Sequence, residues 1–334
     1  MVMENCPFVS IVIPIKNEEK LLAKCLKSLA ELNYPKDRFE VIIADGLSTD
    51  STPKIAESFG AKVVKNEKQT VAPGRNIGFL VSKGELAAFS DADCVMDKQW
   101  LENCLKYFEK EEVAGIGGPN LVPPDETNFG RAVRFLMSFG SFASGSVQVT
   151  DSKQTKEVKS LPGSNCIYKR EALVKVMPID ETLLTCDDTE MNWQLRNKGY
   201  KLLYVPDVMV WHYRRDNPKK FFKQMYRYAR GRVQLSRKHK DALDLLHILF
   251  GFGLPIAFVS GIILFILNPV YILVLTGAAL FSLLAFSFLG LLKEKSLGAA
   301  LNVPLVSFLF AIAWSLGFLR ELFFGSKAKR VIND

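Results

Sequence analysis

Both glycine-rich nucleotide fingerprints are missing from this sequence. The first strand-to-helix turn reads Pro14-Ile15-Lys16-Asn17-Glu18 with no Gly-x-Gly-x-x-Gly, and no Gly-Lys-Ser/Thr loop occurs in the 334 residues. Dinucleotide dehydrogenases and P-loop phosphotransferases use those glycines to bring backbone against phosphate, so both classes fit poorly. Cysteine is sparse as well. Cys6, Cys25, Cys94, Cys104, Cys166 and Cys186 form no Cys-x-x-Cys pair and no zinc spacing, which reads as reduced, mostly buried thiols of a cytosolic domain. No secretory leader is expected, because the first apolar run, Val9 to Ile15, is short, contains Pro14 and leads into charge.

Charge is absent over long stretches. From Leu245 to Leu292 there is no Lys, Arg, Asp or Glu in 48 residues, and Leu297 to Leu319 is uncharged too. Crossing a hydrocarbon core of about 30 Å takes about 20 apolar residues. The first stretch therefore holds two spans broken at Asn268-Pro269, and the second holds one, at about 245–267, 270–292 and 297–319.

The net charge of +8 sits elsewhere: residues 214–240 hold eleven Lys or Arg against the single Asp216, leaving the remainder slightly acidic. A basic cluster directly before a membrane run marks the cytoplasmic side of an anchor, where each cation near anionic headgroups contributes about 1 kcal/mol. Lipid headgroups, not nucleic acid, are the expected partner. Pro218 to Leu235 patterns as an amphipathic helix, with Phe222, Met225, Tyr226, Ala229 and Val233 on one face and Lys219, Lys223, Arg227 and Arg230 around it. Such a helix lies in the bilayer interface.

Three units are thus expected: a cytosolic catalytic domain over 1–213, a basic interfacial linker over 214–242, and a multi-pass domain in the cell membrane over 243–334. Their topology carries a conflict. Three spans put the tail outside, yet Arg320, Lys327, Lys329 and Arg330 would keep it inside. Either one segment is re-entrant or interfacial, with Pro255 and Pro304 as candidate breaks, or the tail crosses despite its charge.

What is present in residues 8–122 is a regular alternation. Strands are expected at 9–15, 41–45, 62–66, 85–91 and 114–118, and helices at 18–32, 51–59, 73–83 and 97–110. Such alternation gives an α/β fold with a mostly parallel sheet. Three strands end on polar, mostly acidic residues: Pro14 leads to Asn17-Glu18, the second ends on Asp45 with Asp50 beyond it, and the fourth on Asp91-Ala92-Asp93. Ligands bind outside the carboxyl ends of strands in open α/β sheets. Two carboxylates separated by one small residue can meet a hard cation, Mg²⁺ or Mn²⁺, that keeps other positions for water and phosphate oxygens. That chemistry suits a nucleotide diphosphate.

Further along, Pro73-Gly74-Arg75-Asn76 opens a helix, where Arg75 could neutralise phosphate or stack on a base. Pro162-Gly163-Ser164-Asn165 is a polar turn, and Cys186-Asp187-Asp188-Thr189-Glu190 heads a helix that ends at Lys198-Gly199. Acidic residues at a helix start complement the macrodipole, but a close like-charge pair also raises one pKa and makes a better base. His212, after a strand at Tyr200 to Pro206, reads first as a structural histidine and second as a metal ligand.

In this order and spacing, these residues resemble a family 2 glycosyltransferase of the GT-A fold over residues 8–235. The resemblance implies an inverting transferase moving a sugar from a nucleotide-diphosphate donor, UDP-linked before GDP-linked, to a hydroxyl of a lipid-linked or membrane-proximal glycan. It implies Asp188 as base with Asp187 beside it, Mn²⁺ or Mg²⁺ on Asp91, Asp93 and His212, and donor contacts from Pro14, Asn17, Glu18, Asp45, Asp50, Arg75, Asn76 and Asp91. On the acceptor side it implies Gly163, Ser164 and Asn165, with Gln224 and Arg227 from a stretch similar to the Gln-x-x-Arg-Trp motif of processive relatives, Tyr228 standing for Trp. Two departures are Asp187, where Glu is usual, and Gln194, where many relatives carry Arg. The ending Ala313 to Leu319 looks like the succinoglycan-type glucosyltransferase branch. A polyprenyl-phosphate acceptor is the alternative: it needs no base, which the Asp187-Asp188 helix start opposes and the basic stretch favours.

Overall fold

The computed structural model describes residues 6–138 and 152–325. Its first half alternates as β1 (Val9–Ile15), α1 (Glu19–Ala30), β2 (Phe39–Asp45), α2 (Thr52–Ser58), β3 (Lys62–Lys65), α3 (Val71–Val81) and β4 (Leu86–Ser90). Then follow β5 (Cys94–Met96), β6 (Val113–Gly117), β7 (Asn120–Leu121), α4 (Asn128–Met137), β8 (Lys156–Glu157), β9 (Asn165–Lys169) and α5 (Arg170–Leu173). The remainder is α6 (Asp187–Asn197), β10 (Lys201–Tyr204), β11 (Val210–His212), α7 (Pro218–Lys238), α8 (Leu245–Leu267), α9 (Val270–Glu294) and α10 (Leu297–Phe324).

Eight strands form one sheet in the order β3-β2-β1-β4-β9-β6-β10-β8. The β1–β2, β1–β4, β2–β3 and β6–β10 pairs are parallel, while β9 inserts antiparallel between β4 and β6. β4 is buried at every position, as a strand covered on both faces must be. Ile11 and Ile13 pack with Leu22, Leu26 and Leu29 of α1 on one face, and Val12 with Phe89 and Tyr168 on the other. One expected element differs. Instead of a helix over 97–110 there is a short 3₁₀ helix, Glu102–Tyr107; the apolar side chains of the stretch still reach the core, with Trp100, Leu101 and Cys104 buried and Leu105 and Phe108 packed against them.

A second sheet, β5-β11-β7, sits beyond the end of β4. Its antiparallel pairing sets His212 opposite Cys94, next to Asp93. All six cysteines are free and buried.

The C-terminal helices differ among themselves. α8, α9 and α10 are each long and apolar enough to cross a membrane, but α8 and α9 are almost wholly unburied whereas α10 is packed against protein. Phe129 and Phe135 of α4, Phe221, Met225, Ala229 and Val233 of α7, and Val306, Phe310, Trp314 and Phe318 of α10 form one apolar cluster. The apolar face of α7, read from the sequence as lipid-facing, is therefore covered by α10 and α4; the sequence pattern is the same whether lipid or protein takes up that face. Lys327, Lys329 and Arg330 lie outside the described residues.

Candidate active site

Strand ends build the site. β1 and β2 are in register from Val9↔Phe39 to Ile15↔Asp45, so the turn after Ile15 and the carboxylate of Asp45 emerge side by side. Asp91 follows β4 directly on the other flank of β1. Asn17 takes a left-handed backbone (φ 53°), which Asn tolerates, and its Oδ1 accepts from Thr49 N at 2.8 Å while its N–H donates to Ser48 Oγ at 2.9 Å. The first two loops are thereby tied together. Asp45, buried, accepts from Ser48 N at 3.1 Å. Asp50 accepts from Thr52 N at 3.0 Å and Glu19 N at 3.4 Å, holding the starts of two helices.

Asp93 is 6 % exposed. Its Oδ1 lies 3.2 Å from His212 Nε2 and its Oδ2 3.0 Å from Arg215 Nη1. Burial pushes its pKa up, but the His212 and Arg215 charges outweigh that and hold the carboxyl well below the usual range. Asp91 is raised, by desolvation first and then by Asp93 beside it. The same two causes, burial and the Asp93 and Asp91 charges, push Glu18 up to about 7. Three carboxyls therefore share a small volume, which is costly without a cation.

Asp93, Cys94 and His212 place one ligand atom each within 4.8 Å of the others. The Cys94 thiol is buried and pushed well up by desolvation, so it stays protonated and is a poor ligand for a hard ion. The Asp93 carboxylate and the His212 imidazole remain, while Asp91, also expected as a ligand, lies outside this group of three; oxygen and imidazole donors suit Mn²⁺ or Mg²⁺. Behind His212, Asn120 Nδ2 sits 3.4 Å from His212 Nδ1 and donates to Ser164 Oγ at 2.8 Å, while Asn120 Oδ1 is buried with no partner. Turning that amide would put the oxygen on His212 Nδ1–H and free Nε2 as a ligand.

Behind the carboxylates runs a buried arginine. Arg75 Nη1 donates to Asp187 Oδ2 at 2.7 Å, Nη2 donates to Gly163 O at 3.0 Å and lies 3.8 Å from Asp91 Oδ1, with the side chain 5 % exposed. A Cβ at Gly163 would fall on the Arg75 guanidinium, which is held in place by Asp187, so glycine lets the turn close on it. Breaking a buried pair costs about 3–5 kcal/mol. Arg75→Met is therefore expected to lower unfolding stability by about that much, with part recovered in the double variant Arg75→Met, Asp187→Leu; thermal unfolding of the four proteins checks it.

Cys186, at φ 67°, turns the chain into α6 and sets Asp187 and Asp188 in its first turn. Asp188 Oδ2 accepts from Gly163 N at 3.0 Å and Oδ1 from Thr189 N at 2.7 Å. Desolvation first, then the Asp187 charge, raise its pKa against the opposing pull of Arg75. Tyr228 of α7 is pushed up to about 12 by burial and by the nearby Asp188 charge, and Gln224 Nε2 donates to its hydroxyl at 3.3 Å. α7 thus faces the acidic pair, with Arg214, Arg215 and Arg227 around Tyr228.

Other expected contacts point elsewhere. Both ends of the Asn76 amide are taken by Ile179, with a third bond to Glu181. Asn165, fully buried, accepts from Trp100 Nε1 at 2.8 Å and donates to the carbonyls of Pro119 and Val208. Ser164 accepts from Asn120 and Ser90, and Pro14 lies against Gly74 of α3. These residues support the strand ends from beneath. Arg215 and Asn120 were not singled out from the sequence: one was counted only as charge, the other stands in a strand of two residues.

The profile of glycosyl transferase family 2 matches residues 10–177, half of the chain. The glycosyltransferase AglE of Haloferax volcanii is 28% identical over 235 residues, 69% of this chain and 74% of that protein. The dolichyl N-acetyl-α-D-glucosaminyl phosphate 3-β-D-2,3-diacetamido-2,3-dideoxy-β-D-glucuronosyltransferase of Methanococcus voltae is 27% identical over 335 residues, 96% of this chain and 98% of its own length. Among solved structures, the mannosyltransferase PcManGT of Pyrobaculum calidifontis, in complex with GDP-Man and Mn²⁺, matches with TM-score 0.65 at 20% identity, covering 96% of this chain and 88% of that one. The chain therefore belongs to glycosyl transferase family 2 and is a glycosyltransferase of the GT-A fold.

Proposed function

We propose that this enzyme transfers a sugar with inversion from a nucleotide-diphosphate donor, a UDP-sugar first, to a hydroxyl of a lipid-linked or membrane-proximal glycan at the cytoplasmic face of the cell membrane. The observation that carries the reading is Asp188, a carboxylate of raised pKa fixed by two backbone N–H groups and set opposite α7. In the step, Asp188 takes the proton of the acceptor hydroxyl as its oxygen bonds to the anomeric carbon. The bond from that carbon to the β-phosphate oxygen breaks, and the electron pair leaves with the nucleotide. The Methanococcus voltae relative, whose name gives a dolichyl-phosphate-linked sugar as acceptor, spans the whole chain and supports a lipid-linked substrate.

Asp45 and the Pro14–Glu18 turn, tied by Asn17, would hold the nucleoside. Asp91 and Asp93 with His212 would hold Mn²⁺ or Mg²⁺, which when bound stabilises charge on the departing diphosphate. Arg75 serves as a positioning residue: it orients Asp187 and Gly163, and through Gly163 the base. Asn120→Ala is expected to raise the Mn²⁺ concentration for half-maximal activity about 10- to 100-fold, the usual cost of losing a partner of a histidine ligand. Mn²⁺ binding read by electron paramagnetic resonance should weaken in step.

The guanidiniums of Arg214, Arg215 and Arg227 favour a second reading, a polyprenyl-phosphate acceptor; Arg214 Nη2 is buried without a partner. Nucleotide release with UDP- and GDP-sugars, with and without lipid extract, tests the proposal. One donor turned over only with the extract is the expected result; release stimulated equally by a short polyprenyl phosphate shifts the assignment to the second reading, and no release with any donor sinks both.

A further inference from the structure

Hydropathy alone makes α10 a third span, but its neighbours do not. α10 begins beside the last turn of α9, where Glu294 pairs with Arg134 of α4 at 2.8 Å and Ser296 Oγ donates to Asn128 Oδ1 at 3.0 Å. It ends beside α7, where buried Glu321 accepts from Arg230 Nε at 2.9 Å and Gln234 Nε2 at 3.1 Å, and Gly325 lies next to Arg237. Between those ends Trp314 Nε1 donates to His247 O at 3.2 Å and Ser315 Oγ to Gly251 O at 2.8 Å. His247 and Gly251 are in the first two turns of α8.

The consequence is geometric. α8 and α9 join at the Asn268-Pro269 turn, which is their far end, because the opposite ends both meet α10: Gly251 at Phe318 and Gly290 at Val303. A third span starting at the near end of α9 would finish by that far turn. α10 is 28 residues, about 42 Å at 1.5 Å per residue, yet its second half meets the near end of α8. Both of its ends are therefore on the side of the catalytic domain. Charge says the same: α7, which α10 follows from Gly317 against Tyr226 to Glu321 against Arg230, carries Lys or Arg on every turn and cannot enter hydrocarbon.

The outward face of α10 is apolar. Leu297, Leu301, Leu305, Phe308, Leu316 and Phe323 are exposed at spacings that keep them on one stripe, opposite the Val303, Val306, Phe310 and Phe318 side packed on protein. The α8–α9 pair is apolar and exposed along its length as well. We infer that α10 lies in the plane of the membrane between the catalytic domain and the lipid, its outward stripe sunk in one leaflet. The chain then has two spans, and Gly325 lies on the catalytic side. Arg320 no longer stands in a crossing helix, which removes its part of the conflict seen in the sequence.

The test uses the full chain in sealed vesicles of phosphatidylethanolamine and phosphatidylglycerol, oriented so that added donor is turned over. A protease added outside should remove a C-terminal tag, while Asn268→Cys stays unreactive to an impermeant maleimide until the vesicles are opened. A protected tag and a reactive Asn268→Cys, or both protected, overturns the two-span arrangement. Independently, nitroxide labels at Leu301→Cys, Phe308→Cys and Leu316→Cys should report one shallow depth. A passage through the bilayer centre means that α10 spans, and labels shielded from lipid and close to those of a second copy mean that a subunit, not a leaflet, covers the stripe; either overturns the inference.

Discussion

Asp93→Ala is expected to bring nucleotide release down by at least about 10³-fold. The figure follows from the several kcal/mol of leaving-group stabilisation that a bound cation supplies, at 1.36 kcal/mol per tenfold. Asp93 also joins two groups: without it, His212 and Arg215 lose the carboxylate each contacts, at 3.2 and 3.0 Å. Asp93→Asn separates the two effects, since its amide oxygen can still accept from Arg215 while the charge is gone. If both variants unfold at the wild-type temperature, lose Mn²⁺ binding and fail to turn over, Asp93 is a ligand. An Asp93→Ala protein that keeps most of its activity in a chelator would remove the metal from the proposal.

Much of this was legible in the residues because it is local. β4 reads as a continuous apolar run cut off by Asp91, and α6 is bounded by its acidic start and by Gly199 at φ 88°. What was not legible depends on pairing across long separations. Nothing near Asn120 announces that β7 will lie beside β11 and put its amide on His212. Arg75 sits on a helix that leads to the acidic strand, which suggests a nucleotide contact; only the fold shows Gly163 and Asp187, 88 and 112 residues downstream, closing on its guanidinium. The amphipathic stripe of α7 is visible in the sequence, but what covers it is a tertiary fact supplied by α10. At 97–110 the apolar spacing announces a stretch docked on the core through Trp100, Leu101 and Cys104, but not that only Glu102–Tyr107 coils, as a 3₁₀ helix.

Asp188→Asn is expected to cost about 10²- to 10⁴-fold in turnover, the worth of a positioned base, while nucleotide still binds. The substitution keeps an oxygen for Gly163 N–H but turns an NH₂ toward Thr189 N–H, so a modest loss of stability, about 1–3 kcal/mol for one unsatisfied buried donor, accompanies it. A pH profile separates that cost from catalysis. A base must be ionised, and desolvation and Asp187 raise the pKa of Asp188, so turnover should fall on the acid side at a pH above that of an ordinary carboxylate. Asp187→Asn removes the like charge and leaves Arg75 facing Asp188 alone, so the same acid limb should move to lower pH. A structural role for Asp187 would lower the plateau without moving the limb. If Asp188→Asn turns over nearly as fast as wild type, the acceptor is already an anion, because only a group that arrives deprotonated makes the base dispensable; the guanidiniums around Tyr228 then become its binding site.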